Sequence, residues 1–148
     1  NILEAYPRTF GLEFTAEDLN SPWLEADTIE EAPIVISRSF RYRPANGEAV
    51  WRDMIAEGTF EGNSIFVGTP AEHEDFERTF GIQVPYRPVQ DFLELASIIN
   101  GSSLYVGNQG FAYSLATGLG KDTVLELNKL VPQQYNECYF PRAGAQYF

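Results

Sequence analysis

The residues best suited to chemistry on a ligand are arginines, hydroxyls and carboxylates gathered at a few turns. Ser37-Arg38-Ser39-Phe40-Arg41-Tyr42-Arg43 concentrates three of the ten basic residues and two hydroxyls in a chain with 21 acidic residues. Arginine forks take phosphate oxygens in pairs and hydroxyls add short hydrogen bonds, so Ser37, Arg38, Ser39 and Arg41 are candidate ligands for a diphosphate. The plainer role for these arginines is to offset carboxylates on an acidic surface. A second group is the polar turn Gly107-Asn108-Gln109-Gly110, which follows a β-branched and aromatic run and opens into a small-residue helix stopping at Gly120. Unpaired N–H groups at such a helix start, with the positive end of its dipole, suit an anion. Glu72 and Glu126 could each accept from the two hydroxyls of a ribose. A capping box explains Glu72 equally well. Glu126 closes a buried strand, with Leu125 and Leu127 pointing to the opposite face, where a carboxylate is costly unless paired or turned to a ligand cleft.

Other chemistries find less support. His73, the one histidine, is expected in the exposed first turn of a helix without a second ligand at helical spacing, so no metal and no resident cofactor are expected. Cys138 is the single cysteine; with no histidine partner it reads as a buried, inert thiol, and its solitude fits a reducing cytoplasm. Gly-x-Gly-x-x-Gly, the P-loop and Gly-x-Ser-x-Gly do not occur, which removes the best support for a dehydrogenase, an NTPase or a hydrolase. A net charge of −11 repels a phosphate backbone, so neither nucleic acid nor an anionic membrane surface is an expected partner. Nothing resembles a signal peptide or a spanning run of about 20 apolar residues.

These turns need elements to hold them, and the hydrophobic pattern supplies them. A chain of 148 residues, 44% hydrophobic, is one globular domain in size. Residues 1 to 32 read as an irregular leading strap: the first 33 residues hold eight acidic residues and one Arg, and Ile2, Leu3, Tyr6, Phe10, Leu12 and Phe14 are too irregularly spaced for a helix. Trp23 and Leu24 are expected to pack this strap on the domain that occupies residues 33 to 148. Pro33–Ile36 and Ser64–Val67 have the short, β-branched character of strands buried on both faces. Glu48 to Glu57 reads as a helix with Val50, Met54 and the stem of Trp51 on one side, between the Asn46-Gly47 loop and Gly58. Thr69, Pro70 and Glu72 make a complete helix start, and Gly81 ends that helix after Phe76 and Phe80. Ile82–Tyr86 reads as a short strand ending at Pro85. Asp91 caps a helix placing Phe92, Leu95, Ala96 and Ile99 on its apolar face, with Glu94 completing a box and Gly101 the stop. Strands at Ser102–Val106 and Thr123–Leu127 flank the turn-and-helix unit. Tyr135–Phe140 is aromatic without a clear pattern, and Arg142 to Phe148 is expected to be loop.

Strands alternating with helices of about ten residues predict an α/β fold: a Rossmann-like α/β/α sandwich with a parallel sheet of about five strands. Ligands of such sheets sit beyond the carboxyl ends of the strands. The loops that matter are then Ser37 to Arg43, Gly68 to Glu72, Tyr86 to Gln90, Gly107 to Gly110 and the residues after Glu126.

The stretch from Leu104 to Leu127 resembles the C-terminal-domain signature of heptosyltransferase-type glycosyltransferases (family nine, GT-B fold). Gly107, Asn108, Leu115, Ala116, Leu119, Gly120 and Lys121 match without gaps, and Thr123-Val124 continues the register. Gly68-Thr69-Pro70-Ala71-Glu72 is similar to the family's G-x-P-x-E turn, whose Glu contacts the donor ribose, and the Ser37 to Arg43 loop lies where the family binds the donor diphosphate. The resemblance runs from about Pro33 to Leu127. It implies one half of a GT-B protein that takes a nucleoside-diphosphate sugar without a metal. Its partner would be an acceptor-binding N-terminal domain or another chain, and alone it would transfer nothing. A start at Asn1 rather than Met carries the expectation of a processed start or a longer parent chain.

The departures are chemical. Gln109 and Ser114 stand where the family has Asp and His, so a carboxylate able to act as base is replaced by a neutral amide. Gly110 and Phe111 replace Ser-Gly. These changes motivate the alternative of an interaction module that no longer binds a donor, with Tyr139, Phe140, Tyr147 and Phe148 as a possible homodimer contact.

Overall fold

A computed structural model describes residues 9–13, 15, 17–18, 20–41, 43–44, 47–127 and 142–148. Tyr42, Asn46, Cys138 with the rest of Tyr135–Phe140, and Ile2, Leu3, Tyr6 and Phe14 lie outside the described residues.

A five-stranded sheet forms from β1 (Ile34–Ser37), β2 (Ser64–Phe66), β3 (Leu104–Asn108), β4 (Asp122–Glu126) and β5 (Ala145–Tyr147), in the order β2-β1-β3-β4-β5. Every pairing is parallel, and the register sets Ser37 beside Gly107 and Asn108 beside Glu126. Among the described residues four helices complete the fold: α1 (Gly47–Ala56), α2 (Pro70–Phe80), α3 (Phe92–Gly101) and α4 (Phe111–Gly118). The result is the expected Rossmann-like α/β architecture. No helix among the described residues is long and apolar enough to cross a membrane.

Alternation along the strands divides the core in two. Val35, Ile65, Val67, Tyr105 and Leu125 face α3 and α4, whereas Ile34, Ile36, Phe66 and Val106 face α1 and α2. The second face is aromatic: Trp51, fully buried, lies 5.2 Å from Phe76, 5.9 Å from Phe80 and 5.9 Å from Phe148 between ring centroids. The leading strap lies over the first face. Trp23 and Leu24 donate backbone N–H groups to the Gly118 carbonyl, Ile29 donates to that of Ser97, and Leu24, Ala26 and Ile29 pack into the core while the Trp23 ring stays exposed.

Three expectations are corrected. Ile82–Tyr86 is not a strand but a single parallel bridge, Phe66 to Tyr86, because Pro85 has no N–H to donate to a ladder. Ala145–Tyr147, expected as loop, is the edge strand β5; Tyr147 packs on the α3/α4 face and Phe148 on Trp51, so neighbours rather than its own pattern make it a strand. Phe92 is 68% exposed instead of buried, since as the first residue of α3 it stands beyond the end of the sheet.

Candidate functional site

The connection from β1 leads outward to β2, and the chain then returns across β1 to β3, so the order reverses between β1 and β3. Ligands of open α/β sheets bind at such a reversal, beyond the carboxyl ends. Ser37, Arg38 and Ser39 leave β1 there, and Gly107 to Gly110 leave β3 beside them.

The structure brings most of the candidate residues together and turns several of them on one another. Asn108 is 2% exposed; its Oδ1 accepts from the Ser39 backbone N at 2.9 Å and Ser39 Oγ at 3.3 Å, while Nδ2 donates to the carbonyls of Ser39 at 3.0 Å and Arg41 at 2.8 Å. The amide thereby extends the sheet by one side chain and fixes the Ser39–Arg41 turn. Ser37 is hydrogen-bonded to the Tyr105 phenol, whose burial pushes its pKa far above the ordinary value against the opposing effect of that bond. Gly107 must lack a side chain: a Cβ would lie 2.3 Å from the Ser37 carbonyl oxygen and 2.5 Å from the Tyr105 hydroxyl.

Arg38 and Glu126 form a bidentate ion pair inside the domain. Nε donates to Oε2 and Nη2 to Oε1, both at 2.8 Å, with side chains 1% and 0% exposed. The guanidinium lies 5.2 Å from the centroid of Phe80. A Cβ on Gly47 would fall 2.4 Å from Glu126 Oε1, so the carboxylate lies against the start of α1, where the helix dipole favours negative charge. In this structure each of these two candidates is occupied by the other. Arg43 donates to the carbonyl of Ser39 at 2.8 Å and pairs with Asp75 at 2.5 Å, while Arg41 is exposed.

Asp75 offers a pH readout of this loop. Its partial burial acts to raise the carboxyl pKa, but hydrogen bonds and charge from Arg43 and Arg78 prevail and hold it below the ordinary 3.8. A depressed folded value means stability that is present above the unfolded pKa and lost as pH falls through the folded one. Asp75→Asn is therefore expected to lower stability at pH 7 by about 1–2 kcal/mol and to flatten its decline below about pH 4. Urea midpoints between roughly pH 2.5 and 7 check this; parallel curves for the two proteins would refute it.

Glu72 sits where the helix-start signature put it. Thr69 N and Oγ1 donate to its Oε2 at 2.9 and 2.8 Å, and the Glu72 N–H donates to Thr69 Oγ1 at 3.3 Å. Before this cap, Gly68 has φ +148°, a value side chains avoid, and turns the chain sharply off β2. His73 is more enclosed than expected: Nε2 lies 2.7 Å from the Val84 carbonyl and its ring stacks on Tyr86.

At the start of α4, Gly110 is the N-cap, with extended backbone and no side-chain cap for the first-turn N–H groups. Unlike Gly107 it is not crowded by the described residues: the nearest of their atoms to a Cβ there is the Asn108 carbonyl, at 4.0 Å. Gln109 beside it is half-buried, and its Oε1 is enclosed without a hydrogen-bond partner among the described residues.

None of the candidate ligand residues lines the cleft itself, although two of the loops expected on the ligand side contribute to it. Val67 and Gly68 from the end of β2, Val89, Gln90 and Asp91 from the following loop, and Phe92 and Leu95 from α3 line a concavity of about 490 Å³. That size falls within the roughly 300–1,000 Å³ of small-molecule sites. Arg87 secures the loop wall, donating Nε to Glu31 at 2.7 Å and Nη2 to Glu94 at 2.8 Å, and the Gln90 N–H donates to Glu94 at 2.5 Å. The Gln90 amide first and Arg87 second hold the Glu94 carboxyl below its ordinary range. The loops Gly68 to Glu72 and Tyr86 to Gln90 were expected on the ligand side; the further signal was Asp91, since an N-cap there puts Phe92 at the sheet's carboxyl edge.

Compared with protein-family models, curated proteins and solved structures, the chain matches none. The function is therefore argued from the site alone.

Proposed function

We propose that this domain binds a nucleoside diphosphate, as the donor-binding half of a GT-B-type glycosyltransferase whose acceptor side comes from another domain or chain. The observation that carries the reading is a concave, largely apolar cleft at the carboxyl edge of a parallel sheet, with the uncapped start of α4 on the same edge. In this reading the nucleoside occupies the cleft, the diphosphate lies on the first-turn amides of α4 at Gly110, and exposed Arg41 adds charge. Ser37, Ser39 and Asn108 shape the backbone that the phosphates meet, Glu72 borders the ribose, and the buried Arg38–Glu126 pair holds the loop rather than the ligand. No metal is assigned. Gln109 is an amide and supplies no base, so transfer depends on groups from the acceptor side.

Titration calorimetry with ADP, GDP, CDP and UDP at millimolar concentration tests the proposal. Heat of binding with at least one is expected, and none with any, in a folded sample, would sink it. A second reading, an interaction module that takes no nucleotide, is favoured by Gln109 and Ser114, which stand where the resembled family has Asp and His; it predicts that silent titration.

A further inference from the structure

Phe92 and Phe111 are the first residues of α3 and α4, two helices that pack side by side on the same face of the sheet. Their rings meet at the carboxyl edge with centroids 4.4 Å apart and planes inclined at 50°, yet the residues are 68% and 51% exposed. Neither belongs to the buried core. Phe92 is at once a wall of the cleft and half of this exposed pair, while Phe111 directly follows Gly110. The pair thus connects the apolar cavity to the uncapped helix start.

We propose that Phe92 and Phe111 form a stacking platform for the nucleobase and decide how strongly this site prefers a nucleotide over a bare sugar phosphate. The inference rests on the nucleotide reading above and adds two binding residues to it. Aromatic rings present a π-face to any base, and their exposed surface is already apolar and rigid, so little side-chain freedom is lost on stacking. Size argues against a protein partner on this patch. Phe92, Phe111 and Leu93, the last 67% exposed, offer a few hundred Å² at most, whereas a specific protein interface needs about 800 Å² from each side. A concave site of about 490 Å³ beside the pair is scaled to a small molecule. Among the parts of a nucleotide, the base is the one that needs apolar, planar contact; ribose and phosphate need hydrogen bonds, which the two rings do not provide.

The test is calorimetry on wild type, Phe92→Ala, Phe111→Ala and Phe92→Tyr, with the tightest-binding nucleoside diphosphate from the panel and with ribose 5-phosphate, which has no base. Each alanine variant is expected to weaken the nucleoside diphosphate by roughly 5- to 150-fold, to leave ribose 5-phosphate unchanged, and to unfold at the wild-type temperature because the rings are exposed. Phe92→Tyr is expected to restore most of the affinity. Unchanged nucleotide affinity in both alanine variants would overturn the stacking role while leaving nucleotide binding intact. So would an equal loss for both ligands, or ribose 5-phosphate binding as tightly as the nucleotide. Absence of binding by every nucleotide would overturn the stacking role and the nucleotide reading together.

Discussion

Glu126→Ala is expected to destabilise the domain by about 3–5 kcal/mol and to lower its midpoint of thermal unfolding by roughly 6–20 °C. The size follows from what remains behind. Arg38 is 1% exposed, both of its bonds to the carboxylate disappear, and its Nη1 already has no partner among the described residues, so a full positive charge is left enclosed beside the Phe80 ring. A guanidinium does not escape by losing its proton. Arg38→Met is expected to cost a similar amount, by stranding Glu126 against the start of α1. Arg38→Met with Glu126→Leu removes both charges and fills the space with apolar groups, so its loss should be well below the sum of the singles and no larger than either. Urea unfolding with an unchanged m-value measures all three. The same variants separate structure from binding: a Glu126→Ala loss under about 1 kcal/mol would mean that the pair opens readily and that Arg38 is available to a ligand after all.

This pair marks the limit of what the sequence discloses. The helix starts at Thr69 and Asp91 are legible because cap and partner lie three residues apart, and both side chains accept the N–H of the residue three further on; the full box forms only at Thr69, since the Glu94 carboxylate accepts from the Gln90 N–H instead of closing the expected box on Asp91. The strands Ile34–Ser37 and Leu104–Asn108 are legible because both faces are buried and their apolar runs, Ile34-Val35-Ile36 and Leu104-Tyr105-Val106, are unbroken. By contrast, Arg38 finds Glu126 across 88 positions and Ser39 finds Asn108 across 69, and no local pattern encodes who meets whom over such distances. Residue type alone says that an arginine at a strand end suits a phosphate and that a carboxylate at another suits a ribose; only the sheet order reveals that β1 and β4 both flank β3, close enough for the two side chains to meet. β5 fails for a related reason, since Ala145–Tyr147 alternates over only three residues, too few to signal a strand, and is one because β4 offers it an edge. Phe92 has helical spacing with Leu95, Ala96 and Ile99, but spacing gives the face and not the height along the helix axis, and at the first turn that face has already passed the end of the sheet.

Gly110→Val is expected to abolish nucleoside-diphosphate binding, at least about 100-fold, while leaving the fold within about 1 kcal/mol of wild type. The contrast with Gly107 supplies the reasoning. At Gly107 a Cβ collides with the Ser37 carbonyl at 2.3 Å, so the glycine is demanded by the approach of β1 to β3, and substitution there reports only on folding. At Gly110 the backbone is extended at φ −179°, which any residue adopts, and among the described residues the nearest atom to a Cβ there is 4.0 Å away. Valine fits this conformation well, and the change in stability is limited to the small difference between glycine and a poor N-cap residue. What a branched side chain does at this position is cover the first-turn N–H groups of α4, which have no side-chain cap to satisfy them. If a diphosphate rests there, it loses charge-assisted hydrogen bonds worth about 1.5–3 kcal/mol each, and two of them account for the expected loss. Calorimetry and thermal unfolding on the same sample separate the two effects. An affinity within about threefold of wild type would remove the phosphates from the start of α4 and with them the orientation assigned to the ligand, whatever the Phe92 and Phe111 variants show.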